Sequence, residues 1–264
     1  MTAEEIGDIV RVGTKFGIKK IKLTGGEPLV RKDIVDVVSA VAQPSITDVS
    51  MVTNGTKLAK LAKDLAEAGL SRVNISLDTL DPKNYEYITG APELDRVLDG
   101  VDAAIDAGFS PVKLNMLVLK GVNDAEIERM IEYSLGRGTI LQLIELLWTP
   151  ETAEIYERFH MSLDPIERKL KERASSVETR WQMQARRRYV IDGGEVEIVN
   201  PMHNSEFCAY CTRIRLTPDG YLKPCLMRND NLVDILTSIR SGNDESANKA
   251  FREAIEKREP FFKP

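Results

Sequence analysis

Residues 18–28, IKKIKLTGGEP, read as a β-strand over residues 18–23 that ends in the loop Thr24-Gly25-Gly26-Glu27-Pro28. A helix is expected next, from about residue 32 to 42. The same unit then repeats down the chain. Strands are expected at 46–52, 72–77, 112–118 and 140–146, with helices at 58–68, 82–88, 94–107 and 124–135 between them. Upstream, Thr2-Ala3-Glu4-Glu5 is a capping box. It opens a helix to about residue 16, with Ile6, Ile9 and Val10 facing inward and Gly17 closing it. Strands alternating with helices specify a parallel α/β sheet with right-handed crossovers, whose ligand-binding groups stand at the strand C-termini. Five such strands precede Trp148, too few for an eight-stranded barrel, so an open or partial barrel is expected.

The character of the chain changes after Trp148, which suggests a division into residues 1–148 and 149–264. The stretch 149–202 is charge-rich, with Arg186-Arg187-Arg188 beside Tyr189. Short strands at 188–191 and 195–199 are expected to join at Asp192-Gly193-Gly194. From Leu232 onward the sequence reads as helical and solvated. No internal repeat is present beyond the βα rhythm.

Composition excludes several classes. The chain has 264 residues, 42% of them hydrophobic, which is enough for one large core with an appended module. Its net charge of −5 argues against broad nucleic-acid binding. No apolar run reaches the ~18 residues of a membrane span, and the N-terminus has no signal-peptide pattern. Three cysteines at metal-ligand spacing suit a reducing, cytoplasmic compartment.

All three cysteines lie in residues 207–226, FCAYCTRIRLTPDGYLKPCL. Cys208 and Cys211 can straddle a metal from a tight turn. Cys225 returns on a hairpin, because RIRLT and YLKPC read as short strands around Pro218-Asp219-Gly220. Three thiolates suit a soft metal. A structural zinc completed by His203 is one reading. A [4Fe-4S] cluster with one iron left open is another, and three unrelated buried cysteines are a third. Arg213 and Arg215 alternate after Cys211, so both face one side and form an anion site suited to phosphate. Either arginine is otherwise a solvated surface charge.

The strand ends form a second constellation. Gly25 and Gly26 permit close backbone approach to a ligand, and Glu27 can pair with a ligand ammonium. Thr53-Asn54-Gly55, Ser76-Leu77-Asp78, Lys113, Asn115 and Glu145 follow at the ends of successive strands. Taken singly each reads as a turn or a cap; as a series they form a polar cup.

KLTGGEPLVRKDI, MVTNGTKL, VNISLDTLDPKNYEYITG, VKLNMLVLKGVND and CAYCTRIRLTPDGYLKPC together resemble the radical S-adenosylmethionine (SAM) family of GTP 3′,8-cyclases of molybdenum cofactor biosynthesis, archaeal members above all. The resemblance covers nearly the whole chain. It implies a partial (β/α)6 TIM-type barrel with a C-terminal α+β extension. Cys208, Cys211 and Cys225 would hold a [4Fe-4S] cluster whose open iron contacts the purine of GTP. Lys22, Thr53, Lys113, Arg213 and Arg215 would bind GTP; Gly26, Glu27, Ser76 and Leu147 would bind SAM. The implied reaction starts from a 5′-deoxyadenosyl radical that removes the ribose 3′ hydrogen. The sugar radical then attacks C8 to give 3′,8-cyclo-7,8-dihydro-GTP, the substrate of cyclic pyranopterin monophosphate synthase. Members often form homodimers.

The family binds its SAM cluster through CxxxCxxC near the N-terminus, and no such motif occurs in these 264 residues. The chain begins at Met1, just before its first helix, and therefore reads as a truncated form. It is expected to lack the first barrel strand, to leave strand 18–23 with an open edge that favours association, and not to perform the reaction alone. Gln142 and Leu147 stand where many members have arginine and methionine, and the chain ends Phe261-Phe262-Lys263-Pro264 where many end in Gly-Gly. A non-catalytic GTP-binding iron–sulfur paralogue and a structural zinc protein are the alternative readings.

Overall fold

The computed structural model describes residues 1–201, 204–259 and 261. Helix α1 (Ala3–Thr14) leads to β1 (Lys20–Leu23), and α2 (Ile34–Val41) to β2 (Asp48–Thr53). Then follow α3 (Leu58–Glu67), β3 (Arg72–Ser76), α4 (Pro82–Thr89), α5 (Leu94–Asp106), β4 (Val112–Val118), α6 (Ile127–Gly136) and β5 (Ile140–Glu145). The expected capping box is present: Glu5 N–H donates to Thr2 Oγ1 at 3.1 Å and Thr2 N–H to Glu5 Oε2 at 2.8 Å.

Strands β1 to β5 lie in sequence order, each parallel to the next. Right-handed crossovers between consecutive neighbours send their helices to one face. On that face Met51, Val73, Ile75, Leu114, Met116, Leu141 and Leu143, each fully buried, form one core with Val38, Leu58, Leu65, Val97, Val101 and Met130 from the helices. Burial of this apolar surface at about 25 cal/mol per Å² drives the fold. Strand alternation turns the remaining residues of β1 to β5 to the other face, and many of those are polar.

Beyond β5 come α7 (Ala153–Phe159), α8 (Asp164–Arg173), β6 (Ser176–Arg180), β7 (Arg186–Ile191) and β8 (Gly194–Val199). β6, β7 and β8 form an antiparallel meander, and β8 pairs parallel to β5. One eight-stranded sheet of order β1-β2-β3-β4-β5-β8-β7-β6 results. It holds a sixth parallel strand that counting before Trp148 misses. The sheet thus continues across residue 148. β1 ends the sheet, paired only with β2 among the described residues, and Lys20 and Lys22 are exposed on it.

The chain finishes with α9 (Ser205–Ala209), β9 (Arg215–Leu216), β10 (Tyr221–Lys223), β11 (Val233–Asp234), α10 (Leu236–Arg240) and α11 (Asp244–Glu256). The three strands form a small antiparallel sheet. The turn at Pro218-Asp219-Gly220 is as expected, with Gly220 at φ +90°. Arg213 precedes the hairpin strand, which starts at Arg215, so the two arginines do not share one strand. The C-terminal helical stretch is not simply solvated. Ala247, Ala250, Phe251 and Ala254 of α11 form a second core with Ile9 and Val12 of α1 and with Leu222, Val233 and Ile235. Phe251 stacks on Phe16 with ring centroids 5.4 Å apart. Helix α1 is consequently buried on two sides: Val10 points into the sheet core, while Ile9 points into the C-terminal core. That packing fixes the cysteine-bearing hairpin relative to the sheet.

Candidate nucleotide and cluster site

Register builds the site. Parallel pairing sets Asn74 beside Lys113, Asn115 beside Gln142, and Gln142 beside Glu197, all on the face away from the helix-packed core. Buried polar groups must find partners there, and they do so across six strands. Lys22 Nζ donates to Asn74 Oδ1 at 3.4 Å. Asn74 Nδ2 donates to Asn115 Oδ1 at 3.2 Å and to Gln142 Oε1 at 2.7 Å. Gln142 donates in turn to Glu197 Oε2. Glu197, wholly inaccessible, also accepts from Lys113 Nζ at 2.6 Å and Arg180 Nη1 at 2.7 Å.

These groups titrate as a cation-rich cluster must. Burial, against the opposing pull of Glu197, pushes the Lys113 ammonium down to about 8. Burial alone would raise Glu197, but Lys113, Arg180 and the Gln142 hydrogen bond hold it below the usual carboxylate range. Lys22 keeps solvent-exposed surface at the sheet edge. Burial of its ammonium, with the charges of Arg213, Arg72, Arg186 and Lys113 nearby, nevertheless pushes it down to about 7.

The cysteine segment adds the remaining cations. Asn204 caps α9 by accepting from Phe207 N–H at 2.9 Å. Cys208 N–H then donates to Asn204 O at 3.3 Å, and Cys211 N–H to Cys208 O at 3.2 Å, which closes the expected tight turn. Two aromatic contacts tie this turn to the β6–β7 connection and to β7: Trp181 packs on Tyr210 with centroids 4.9 Å apart, and the Arg186 guanidinium lies 5.9 Å over the Phe207 ring. The side chains of Arg213 and Arg215, both half-buried residues, make no hydrogen bond or ion pair among the described residues. Burial lowers both below the usual arginine value, while Cys211 opposes this at both and Cys225 at Arg215. Guanidinium groups without carboxylate partners at a partly buried surface keep their donors open to an anion.

Cys208, Cys211 and Cys225 are free and half-buried. Cys211 and Cys225 both lie within electrostatic reach of Arg215. No three His, Cys, Asp or Glu side chains among the described residues are placed to hold a metal, so the expected convergence of thiolates is not seen in this geometry. The donor set nonetheless fits a soft metal or cluster: three free thiols, all half-buried and within one short segment of the chain. His203, the expected fourth ligand of a zinc site, lies outside the described residues.

The strand-end residues divide into two groups. Thr53, expected with the lysines, is 2% exposed and donates to Glu27 Oε1 at 2.7 Å. Glu27 also accepts from Leu29 N–H at 2.9 Å and Asn54 N–H at 2.6 Å. Thr53 and Glu27 therefore close the β1–β2 end together, on the opposite alternation from Lys22 and Lys113. Gly25 and Gly26 have no left-handed φ, and an added Cβ would meet nothing within 4 Å. Neither packing nor backbone conformation demands glycine there, which leaves open space above the β1 end. Ser76 ends β3 on the face of Asn74, half-buried and with no side-chain hydrogen bond among the described residues. Asp78 follows it, and burial, partly offset by a hydrogen bond from Leu117 N–H, pushes its carboxyl up to about 6. Leu147 is half-buried just past β5. Glu145 accepts from His160 at 2.9 Å and faces α7 and α8 rather than the cup.

Sequence reading missed Asn74, Arg180, Arg186 and Glu197. Glu197 had a signal, since GEVEIV alternates acids with apolar residues, but its burial follows only once β8 joins the parallel sheet.

Two family models together match most of the chain: the Radical SAM superfamily over residues 1–134, and Molybdenum Cofactor Synthesis C over residues 139–264. A probable GTP 3′,8-cyclase of Methanothermobacter thermautotrophicus is 47% identical over 265 residues, covering 100% of this chain and 87% of that protein. One of Methanocaldococcus jannaschii is 48% identical over 263 residues, covering 100% of this chain and 86% of that protein. Among solved structures, Streptococcus suis SuiB bound to S-adenosylmethionine superposes with a TM-score of 0.69 at 18% identity, over 96% of this chain and 61% of that one. The latter likeness concerns the fold alone. The chain belongs to the GTP 3′,8-cyclase family of the radical SAM superfamily.

Proposed function

We propose that this chain is the GTP- and SAM-binding body of a GTP 3′,8-cyclase, which converts GTP to (8S)-3′,8-cyclo-7,8-dihydroguanosine 5′-triphosphate in molybdenum cofactor biosynthesis. The observation that carries this reading is the cationic cluster of Lys22, Lys113, Arg213 and Arg215 beside three free cysteines. The five parallel strands β1 to β5 are read as the partial barrel, and residues 149–264, which add β8 to the same sheet, as the extension that carries the second site.

In this reading Arg213 and Arg215 hold the triphosphate through charge-assisted bonds, and Lys22 and Lys113 meet it from the sheet. Thr53, clamped by Glu27, sets the wall of the GTP pocket rather than contacting phosphate alone. The open space at Gly25-Gly26, with Ser76, Glu27 and Leu147 at the same sheet end, takes SAM. Cys208, Cys211 and Cys225 would hold a [4Fe-4S] cluster next to the base. The bound cofactors supply the radical that starts the reaction. The chain supplies orientation and charge stabilisation for it. The polypeptide has three cysteines, all between 208 and 225, so within it none remains for a SAM cluster. We therefore expect these 264 residues to bind GTP without releasing 5′-deoxyadenosine. In the family's complete reaction the product passes to cyclic pyranopterin monophosphate synthase.

Calorimetric titration of anaerobically purified protein with GTP tests the reading. Wild type is expected to bind, and the Arg213→Ala/Arg215→Ala variant to lose about 100-fold or more, from two charge-assisted bonds of roughly 1.5–3 kcal/mol each. Equal affinity in the two proteins would remove the assignment.

A further inference from the structure

Arg186 stands where the polar face of the sheet meets the cysteine segment. The β6–β7 register sets it opposite Arg180, on the face that carries Glu197. Its Nη2 donates to Gln184 Oε1 at 2.8 Å, and Gln184 is itself only 5% exposed. The guanidinium rests over the ring of Phe207. Two neighbours thus hold the fork in one orientation. Yet among the described residues the buried Nε has no hydrogen-bond partner, and no carboxylate is paired with the group.

Arg188, two residues on, shows the difference. Its Nε is also without a partner, but Glu195 and Glu178 both bond its Nη atoms and balance its charge. Around Arg186 the balance is reversed. Lys22, Lys113, Arg180 and Arg213 are within electrostatic reach, against Glu197 and Cys211 as the principal opposing groups. Glu197 already accepts from three donors. A buried charged donor without an acceptor is costly, so the cluster lacks an anion with several oxygens. A rigidly held guanidinium fork matches phosphate geometry, and its pre-organisation lowers the entropy lost on binding.

We propose that Arg186 is a phosphate-binding residue of the nucleotide site, gripping triphosphate oxygens between the sheet lysines and Arg213. The assignment rests on the nucleotide reading given above and names the group that joins its two halves.

The test titrates GTP and inorganic tripolyphosphate into wild type, Arg186→Gln, Arg186→Lys and Arg187→Gln. Arg187 is exposed and paired with Glu167, so it serves as the control. Arg186→Gln is expected to weaken both ligands by the same factor, roughly 10- to 100-fold for a charge-assisted bond. Arg186→Lys keeps the charge but loses the fork; it is expected to weaken both about tenfold, and it decides the matter if the glutamine variant does not fold. Arg187→Gln should bind within twofold of wild type. Affinities unchanged in the Arg186 variants overturn the proposal. So does a loss confined to GTP, or a wild type that takes GTP but not tripolyphosphate, because Arg186 would then act on the nucleoside. A wild type that binds neither ligand overturns the underlying nucleotide reading instead.

Discussion

Glu197→Gln is the sharpest test of how the polar face is held together. Glu197 is wholly buried, and its oxygens accept from Lys113, Arg180 and Gln142. The Lys113 side chain is 4% exposed, so water cannot replace the lost carboxylate. Removing one partner of a buried ion pair costs about 3–5 kcal/mol. The glutamine carbonyl can keep one acceptor position, while its amide must face donors, so the expected loss is near the lower end, about 3 kcal/mol. Titration supplies an internal check. Glu197 raises the Lys113 pKa, which burial has already pushed down to about 8. Without the carboxylate it falls further, so at pH 9 Lys113 is neutral in the folded variant and the unpaired-charge penalty shrinks. Urea unfolding at pH 7 and pH 9 measures both effects. A loss under about 1 kcal/mol at pH 7 would refute the claim that this carboxylate is the keystone of the cluster.

Three further outcomes follow from the geometry. Lys22, held down at about 7 by burial and neighbouring cations, loses its charge as pH rises through that value. Arginine does not titrate there, so wild-type affinity for tripolyphosphate relative to Lys22→Arg should fall about fivefold between pH 7 and pH 8, and about tenfold per pH unit above that; a constant ratio would contradict the depressed pKa. Phe251→Ala empties the centre of the C-terminal core, where Phe251 is 2% exposed and stacked on Phe16, and should cost about 3–5 kcal/mol by thermal or urea unfolding. A near-neutral effect would mean that α11 does not anchor the hairpin. Gly220→Ala combines φ +90° with a Cβ that would sit 2.4 Å from Leu236 Cβ. It should loosen the β9–β10 turn and speed reaction of Cys225 with a thiol reagent while leaving Cys208 and Cys211 less affected; unchanged Cys225 reactivity would argue against this hairpin as the support of that cysteine.

The fold was legible where periodicity was strong. The first five parallel strands follow from apolar runs punctuated by TGGEP, TNG and SLD, and the capping box at Thr2 was readable residue by residue. What escaped depended on pairing between distant segments. GEVEIV looks like half of an isolated hairpin until β8 is seen beside β5, and only then does Glu197 become a buried charge. The alanines of α11 looked solvated because their partner face on α1 lies more than 230 residues earlier, where Ile9 and Val12 seem to belong to the main core. The family resemblance groups Thr53 with the lysines, but nothing in its own residue type foretells that its hydroxyl donates to Glu27. The RRR run drew attention without showing which arginine mattered. Arg187 and Arg188 have carboxylate partners, and Arg186 has none among the described residues.

The central claim is that Cys208, Cys211 and Cys225 hold an iron–sulfur cluster beside a GTP site. Metal analysis of strictly anaerobically purified protein, with absorption spectra before and after GTP, tests it most directly. The account predicts about four iron per chain and a spectral change on adding GTP, from a cluster with an open iron. About one zinc per chain with no response to GTP would contradict it, since the cysteines would then serve a structural site.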